Sequence, residues 1–324
     1  MYKKFSWSSA RGQKRRERTA LLPLFLTFFL LIVFFSCTTA SPNSARESAV
    51  SFAAVETVEP QWQPFADGVG YFHGKTVNPQ LEFWALRIDL SAPNTRIVVR
   101  GGAYASGVVN NGANENEILS TRVSSFVRDN NLIAGINAVP FDIVSAKENQ
   151  PIKNMGLVIS DGKLTSSVNP NYDALVFYKN GGAAIVSQQA IRSSIENIEN
   201  AVGGFHQILT GAQATQRTQN SESRHPRSAA GVSANGNILY LLVIDGRRAG
   251  SIGSTEEETA FLLRALGCRD GINLDGGGST ALALRYQDGN IRTVNTPVHG
   301  GIPGRERAVA GCFGITLNHP STGK

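Results

Sequence analysis

Cysteine and histidine are scarce in this chain, with three and five among 324 residues. Cys37, Cys268 and Cys312 cannot build a disulfide scaffold, and their spacing is not that of zinc ligands. Five scattered histidines argue against the His/Asp ligand clusters of a two-metal phosphodiesterase. Net charge is also missing from most of the chain. Residues 1–36 hold seven bases against the single acid Glu17, and so carry the whole formal charge of +6. The high isoelectric point belongs to that segment and says nothing about nucleic acid. No basic patch with interleaved aromatics occurs in the body.

The N-terminal segment reads as an export signal. A basic stretch from Lys3 to Arg18 precedes an apolar run from Leu21 to Phe35. Ser36-Cys37 resembles a bacterial lipobox, in which Cys37 becomes the lipidated first residue; an uncleaved signal anchor is the alternative. Residues 37–60, rich in Ser, Thr, Ala, Pro and Glu, read as a flexible tether. Residues 61–324 are enough for one large domain with its own core. The expectation is an exported protein, anchored to a membrane and periplasmic or on the cell surface.

Strand patterns outnumber helical ones. Strands are expected at 81–90, 95–100, 132–136, 155–160, 201–210, 228–232, 238–244, 272–275 and 308–317, with hairpins turning at Asn180-Gly181-Gly182 and Asp288-Gly289-Asn290. Helical spacing appears at 120–130, with Ser120 as cap, and weakly at 191–200. It is clearest at 255–266, where Thr255 and Glu258 form a capping box and Gly267 stands at the stop position. Residues 101–116 read as a surface loop and 211–223 as a mobile one. The fold class is α/β (α+β): a single domain on a mixed, strand-rich sheet with a few flanking helices.

Chemistry gathers in four polar segments. In Gly271-Ile272-Asn273-Leu274-Asp275-Gly276-Gly277-Gly278-Ser279-Thr280, a short apolar strand delivers a carboxylate to a nearly bare loop, where a ligand can approach main-chain N–H groups. Asp245-Gly246-Arg247 repeats the form, strand then Asp then Gly, and leads into a helix N-terminus. Neighbouring strands would put Asp245 and Asp275 on one rim, where two carboxylates can divide into acid and base. Arg224-His225-Pro226-Arg227 could hold an anionic oxygen, although alone it reads more readily as a solvated loop. Asn137 to Asp142 is the fourth. Spacing alone supports an anion-handling hydrolase site and no more.

The order Asn137…Phe141, Arg224-His225-Pro226-Arg227-Ser228-Ala229-Ala230-Gly231, Asp245-Gly246-Arg247…Ser251-Ile252-Gly253…Glu258, Asn273-Leu274-Asp275-Gly276-Gly277-Gly278-Ser279, Asn295-Thr296-Pro297 and Glu306-Arg307-Ala308-Val309 resembles the phosphodiester glycosidase family. The family's Asn-Gly-x-Phe loop reads Asn137-Ala138-Val139-Pro140-Phe141 here. The resemblance implies hydrolysis of a sugar C1–O bond to a phosphodiester; no metal cluster is visible in the sequence and no cofactor is required, with calcium at the aspartates the open alternative. It implies Asp275 and Asp245 as the carboxylate pair and His225 as a weak acid. Arg224, Arg227 and the N–H groups of Gly276, Gly277 and Gly278 would serve the phosphate, and Asn137 and Asn295 the sugar hydroxyls. Arg247, Asn273, Ser279 and Arg307 complete the implied substrate contacts. The expected partner is a carbohydrate phosphodiester of an envelope or extracellular glycan. The reading from another class is a surface lipoprotein that binds glycans without turning them over.

Overall fold

The computed structural model describes residues 55–101, 117–191, 194–219 and 221–317. The expected signal segment, Cys37, most of the tether and most of the 101–116 loop lie outside them. The described chain forms an eight-stranded sheet, two five-stranded sheets and a two-stranded ribbon, all paired antiparallel between neighbouring strands. A strand-rich single domain with few helices was the expected class.

The eight-stranded sheet runs in the order Gln63–Ala66, Val69–Val77, Gln80–Asp89, Ile238–Ile244, Arg227–Val232, Asp270–Asn273, His206–Thr210 and Gln213–Ala214. Its centre is buried on both faces, which is why Ile238–Ile244 is an unbroken apolar run instead of an alternating one. Leu239, Leu241 and Val243 point into the core shared with the two five-stranded sheets. Tyr240, Leu242 and Ile244 point the other way, toward the Glu256–Leu266 helix. That helix has the expected ends. Glu258 N–H donates to Thr255 Oγ1 (3.1 Å), Thr255 N–H donates to Glu258 Oε2 (3.0 Å), and Gly267 closes the helix at φ 110°.

One topological fact positions the chemistry. Ile238–Ile244 and Asp270–Asn273 flank Arg227–Val232 on either side, each antiparallel to it. They are therefore parallel to one another. The chain leaves both at the same rim, with Asp245 after one and Asp275 after the other, and Arg227 enters between them.

Several expectations are corrected. The helix expected at 120–130 is Val123–Asp129. Ser120 does not cap it, since its hydroxyl donates to Lys147 O (3.0 Å); Glu306, far along the chain, takes Ser124 N–H (3.0 Å) and Oγ–H (2.6 Å). The expected strand 201–210 is two, Ile198–Gly203 and His206–Thr210, in different sheets. The break falls at Gly204, where a Cβ would lie 2.7 Å from Asn273 O. The helix expected at 191–200 is not formed: a short helix, Gln188–Ile191, ends where it was to begin, Ile195–Asn197 is a 3₁₀ turn, and the strand starts at Ile198. Residues 211–223 carry the short edge strand Gln213–Ala214. Packed structure also begins before residue 61: Val55 is fully buried and Glu56 pairs with Arg264 (2.7 Å).

Cys268 and Cys312 are both buried free thiols. Cys268 explains Gly231 in the central strand, where a Cβ would sit 2.3 Å from Cys268 Sγ and 3.1 Å from Asp270 O. Gly231→Ala is expected to destabilise the protein by about 1–3 kcal/mol through overpacking. A denaturant midpoint lowered at constant slope would show it, and an unchanged midpoint would contradict the packing argument.

Candidate active site

The glycine loop begins where the Asp270–Asn273 strand leaves the sheet. Leu274 N–H still donates to Ser228 O (2.9 Å), and Asp275 N–H crosses to Ala138 O (2.8 Å). Gly277 N–H then donates to Pro226 O (2.8 Å), and the N–H groups of Ser279 and Thr280 turn back onto Gly276 O and Gly277 O (3.2 and 3.3 Å). The result is a tight 3₁₀ turn, in which Gly277 takes the left-handed φ of 62° that favours glycine. These N–H groups are spent on the loop's own geometry instead of facing a ligand.

The glycines make room for guanidiniums. A Cβ on Gly278 would lie 2.4 Å from Arg307 Nη2, and one on Gly277 would lie 3.2 Å from Arg247 Nη2. Arg307 Nη1 donates to Ser279 Oγ (3.1 Å), and the Ser279 hydroxyl donates to the Asp275 carboxyl, which also accepts Gly276 N–H. Asp275 keeps some solvent-accessible surface, yet its carboxyl sits amid dense protein. That burial pushes its pKa up to about 6, against the pull of Ser279, Arg307 and Gly276.

Two histidines buttress the two arginines. Arg307 Nε donates to His299 Nδ1 (3.1 Å), and Arg247 Nη2 lies 3.3 Å from His225 Nδ1. Desolvation holds both imidazoles below their ordinary pKa; Arg227 and Arg247 add to this for His225, and Arg307 and Arg305 for His299. Both are therefore neutral at pH 7. Donation into Nδ1 leaves the ring proton on Nε2, as assigned from the hydrogen bonds. His225 reaches this place because it exchanges backbone hydrogen bonds with Ser254 (3.1 and 3.0 Å). That exchange brings it beside the Asp245–Gly253 loop, in which Arg247 sits at φ 59°. Sequence reasoning passed over His299. Its signal was a histidine before Gly300-Gly301, between the Asn295 and Arg307 motifs.

The structure thus brings together Asp275, Gly276, Gly277, Gly278, Ser279, Arg247, Arg307 and His225. Other expected site residues have different work. Asp245 shares the rim, as the topology required, but its carboxylate is almost wholly enclosed. It accepts from Arg248 Nε (2.7 Å), Thr296 N–H (3.0 Å) and Asn295 Nδ2 (3.3 Å). Burial raises its pKa while Arg248 pulls it down. Arg248 also pairs with Glu82, which is lowered to about 2 although its own burial acts in the opposite sense; Arg248, Lys75 and His73 supply the lowering.

Arg224 and Arg227, expected at the phosphate, are held by the helix N-terminus. Arg224 grips Glu258 through both nitrogens (2.7 and 2.5 Å). Arg227 donates to Ser254 O (3.2 Å), Ser223 O (3.1 Å) and Glu256 (3.4 Å). Asn273 also turns to Glu256 (3.1 Å). The sugar contacts expected of Asn137 and Asn295 are not on offer, because both amides are spent inside the protein. Asn137 Nδ2 donates to Asp275 O (2.5 Å), while its Oδ1 accepts Ser228 Oγ–H (2.7 Å) and Ala281 N–H (3.1 Å). Asn295 Nδ2 donates to Thr280 O (3.0 Å), and its Oδ1 accepts Leu282 N–H (3.0 Å).

This arrangement can hold an anion between two guanidiniums beside a carboxylate. Comparison with known proteins places the chain. The SPbeta prophage-derived uncharacterized protein YomE of Bacillus subtilis strain 168 is 28% identical over 141 residues, covering 40% of this chain and 22% of that protein. This chain thus spans under a quarter of that relative's length. Among solved structures, the zebrafish N-acetylglucosamine-1-phosphodiester alpha-N-acetylglucosaminidase catalytic domain, auto-inhibited by its pro-peptide, matches with a TM-score of 0.57 at 19% identity, covering 81% of this chain and 89% of that one. A hypothetical protein from Synechocystis matches at 0.53 and 15% identity, covering 81% and 64%. These likenesses establish the fold. The sequence profile of the phosphodiester glycosidase family matches residues 130–316, more than half of the chain and every residue of the site just described, and the chain belongs to that family.

Proposed function

We propose that this protein hydrolyses the bond between a sugar's C1 and the oxygen of a phosphodiester, releasing free sugar and a phosphomonoester. The observation that carries this reading is the Asp275 carboxyl beside two guanidiniums, each seated against a glycine of its own loop. The phosphate lies between Arg247 and Arg307, which neutralise the charge that grows on it as the bond breaks. Asp275 faces C1, as nucleophile or as base to water, and stabilises the oxocarbenium character there. A phosphate ester departs far more readily than an alkoxide, so one carboxylate suffices and no strong acid is required. The neutral imidazoles of His225 and His299 hold the arginines and offer Nε2–H donors to phosphate oxygen. Asp245 stands behind the site as a strut. The sugar is of the N-acetylglucosamine type, on the analogy of the zebrafish enzyme. Lipidation at Cys37 would hold the domain at the envelope, where glycan phosphodiesters are found.

The test is release of reducing sugar from N-acetylglucosamine-1-phosphate methyl ester in ¹⁸O-water. Label in the sugar and not in the phosphate marks cleavage at carbon. Binding of the ester without release would instead favour the glycan-binding reading.

Four outcomes are expected. The base or nucleophile must be ionised, so kcat/KM falls about tenfold per pH unit below about 6. Asp275→Asn loses about 10³-fold or more of the rate. Its melting temperature at pH 7.5 is no lower than that of the parent, because an ionised carboxyl with a raised pKa costs the fold stability above that value. Asp245→Ala leaves Arg248 on Glu82 alone and takes the acceptor from Thr296 N–H, and costs about 1–3 kcal/mol in a denaturation curve, while the pH midpoint of any residual activity stays in place. Gly278→Ala displaces Arg307 and lowers the rate by about 10²–10³-fold with little change in melting temperature. A Gly278→Ala enzyme of normal rate would remove Arg307 from the mechanism.

A further inference from the structure

Large apolar side chains are exposed on the loops that frame this site. Ile143, Val144, Met155, Ile252 and Ile302 are each 43 to 56% exposed. Backbone bonds at or near Val144, Met155, Ile252 and Ile302 lead to site elements. Met155 N–H donates to Pro140 O (2.7 Å), in the loop whose Ala138 O receives Asp275 N–H. Ala308 N–H donates to Ser145 O (3.3 Å), which sets Val144 beside the Arg307–Ala308 segment. Ile302 N–H donates to His299 O (3.2 Å). Ile252 lies two residues before Ser254, the backbone partner of His225.

Apolar side chains thus fringe three segments that also carry the site's residues or their backbone partners: 140–155, 245–254 and 299–305. A polar sugar has no use for such a rim, whereas an aliphatic chain attached to the phosphate would be desolvated by it. Resting on the glycosidase reading above, we propose that the aglycone of the substrate is aliphatic: a sugar-1-phosphodiester whose second ester carries an alkyl or isoprenoid-like chain. Water adds its oxygen to C1. The C1–O pair leaves on the phosphate, and the products are free sugar and an alkyl phosphate monoester. The guanidiniums take the anionic head and the rim takes the first methylenes of the tail. A membrane tether, as read from the N-terminal sequence, would hold the site beside such amphiphiles.

The test compares N-acetylglucosamine-1-phosphate methyl and octyl esters, the octyl ester below its critical micelle concentration. Each buried methylene is worth about fourfold, so kcat/KM for the octyl ester is expected to exceed that for the methyl ester by about tenfold or more. In Val144→Ser/Ile302→Ser the ratio falls to within about threefold of one, with the methyl rate unchanged. Equal rates on the two esters in the parent protein, or a substitution that lowers both alike, would overturn the proposal. So would a rim that proves to be the contact of a dimer dissociated by the substitution at an unchanged ratio. Should neither ester be cleaved, the glycosidase reading fails alone and calorimetric binding decides this one. Tighter octyl than methyl binding, lost in the double variant, upholds it; equal affinity overturns it.

Discussion

Both ends of the glycine loop hang on one buried amide. Asn137 donates to the carbonyl of Asp275, where the loop begins, and accepts the N–H of Ala281, where it ends. A third bond, from Ser228, fixes the amide to the central sheet. Asn137 itself ends the Ala134–Asn137 strand of a five-stranded sheet, so a single uncharged side chain joins two sheets and the loop between them. In an interior with no water to compete, such a satisfied amide holds position as firmly as an ion pair, without an ion's desolvation cost. The placement of Asp275, of the space above Gly278 and of the arginine that fills it depends on these three bonds.

Around that fixed loop the arginines divide into two kinds. Arg224, Arg227 and Arg248 end on the carboxylates of Glu258, Glu256, Glu82 and Asp245, and serve to lock the helix N-terminus and the strand ends. Among the described residues, Arg247 and Arg307 are held by imidazole nitrogen, a hydroxyl and the bare faces of glycines. A neutral imidazole fixes a guanidinium without cancelling its charge. The positive field at the site therefore comes from the arginines that are positioned without being neutralised, and it meets the one carboxyl that burial leaves poised near neutrality.

Much of this was legible in the chain. The capping box, the stop glycine, the buried run Ile238–Ile244 and the hairpin turns are local signals, and they folded as read. The shared rim of Asp245 and Asp275 followed from two strands of like form. The roles of polar residues were not legible, because a role depends on what the side chain meets across the fold. Nothing near Asn137 in sequence says that its partners are Asp275, Ser228 and Ala281. Nothing near Arg224 says that Glu258 waits for it. The strands between Gln63 and Val77 were missed because Gly, His and Lys interrupt their alternation at an edge where one face meets solvent. His299 was missed because a lone histidine beside glycines has no signature until Arg307 folds against it.

A guanidinium that lies where a side-chain carbon would go makes two distant positions one heritable unit. An arginine at 307 keeps this seat only while residue 278 is bare, and a side chain at 278 pushes the guanidinium out of it. Should a descendant lose Arg307, the vacated surface would tolerate any small side chain at 278. Each such acquisition would then keep a returning arginine out of its seat. Loss of this contact works as a ratchet, so glycine at 278 and arginine at 307 are kept or lost as a pair.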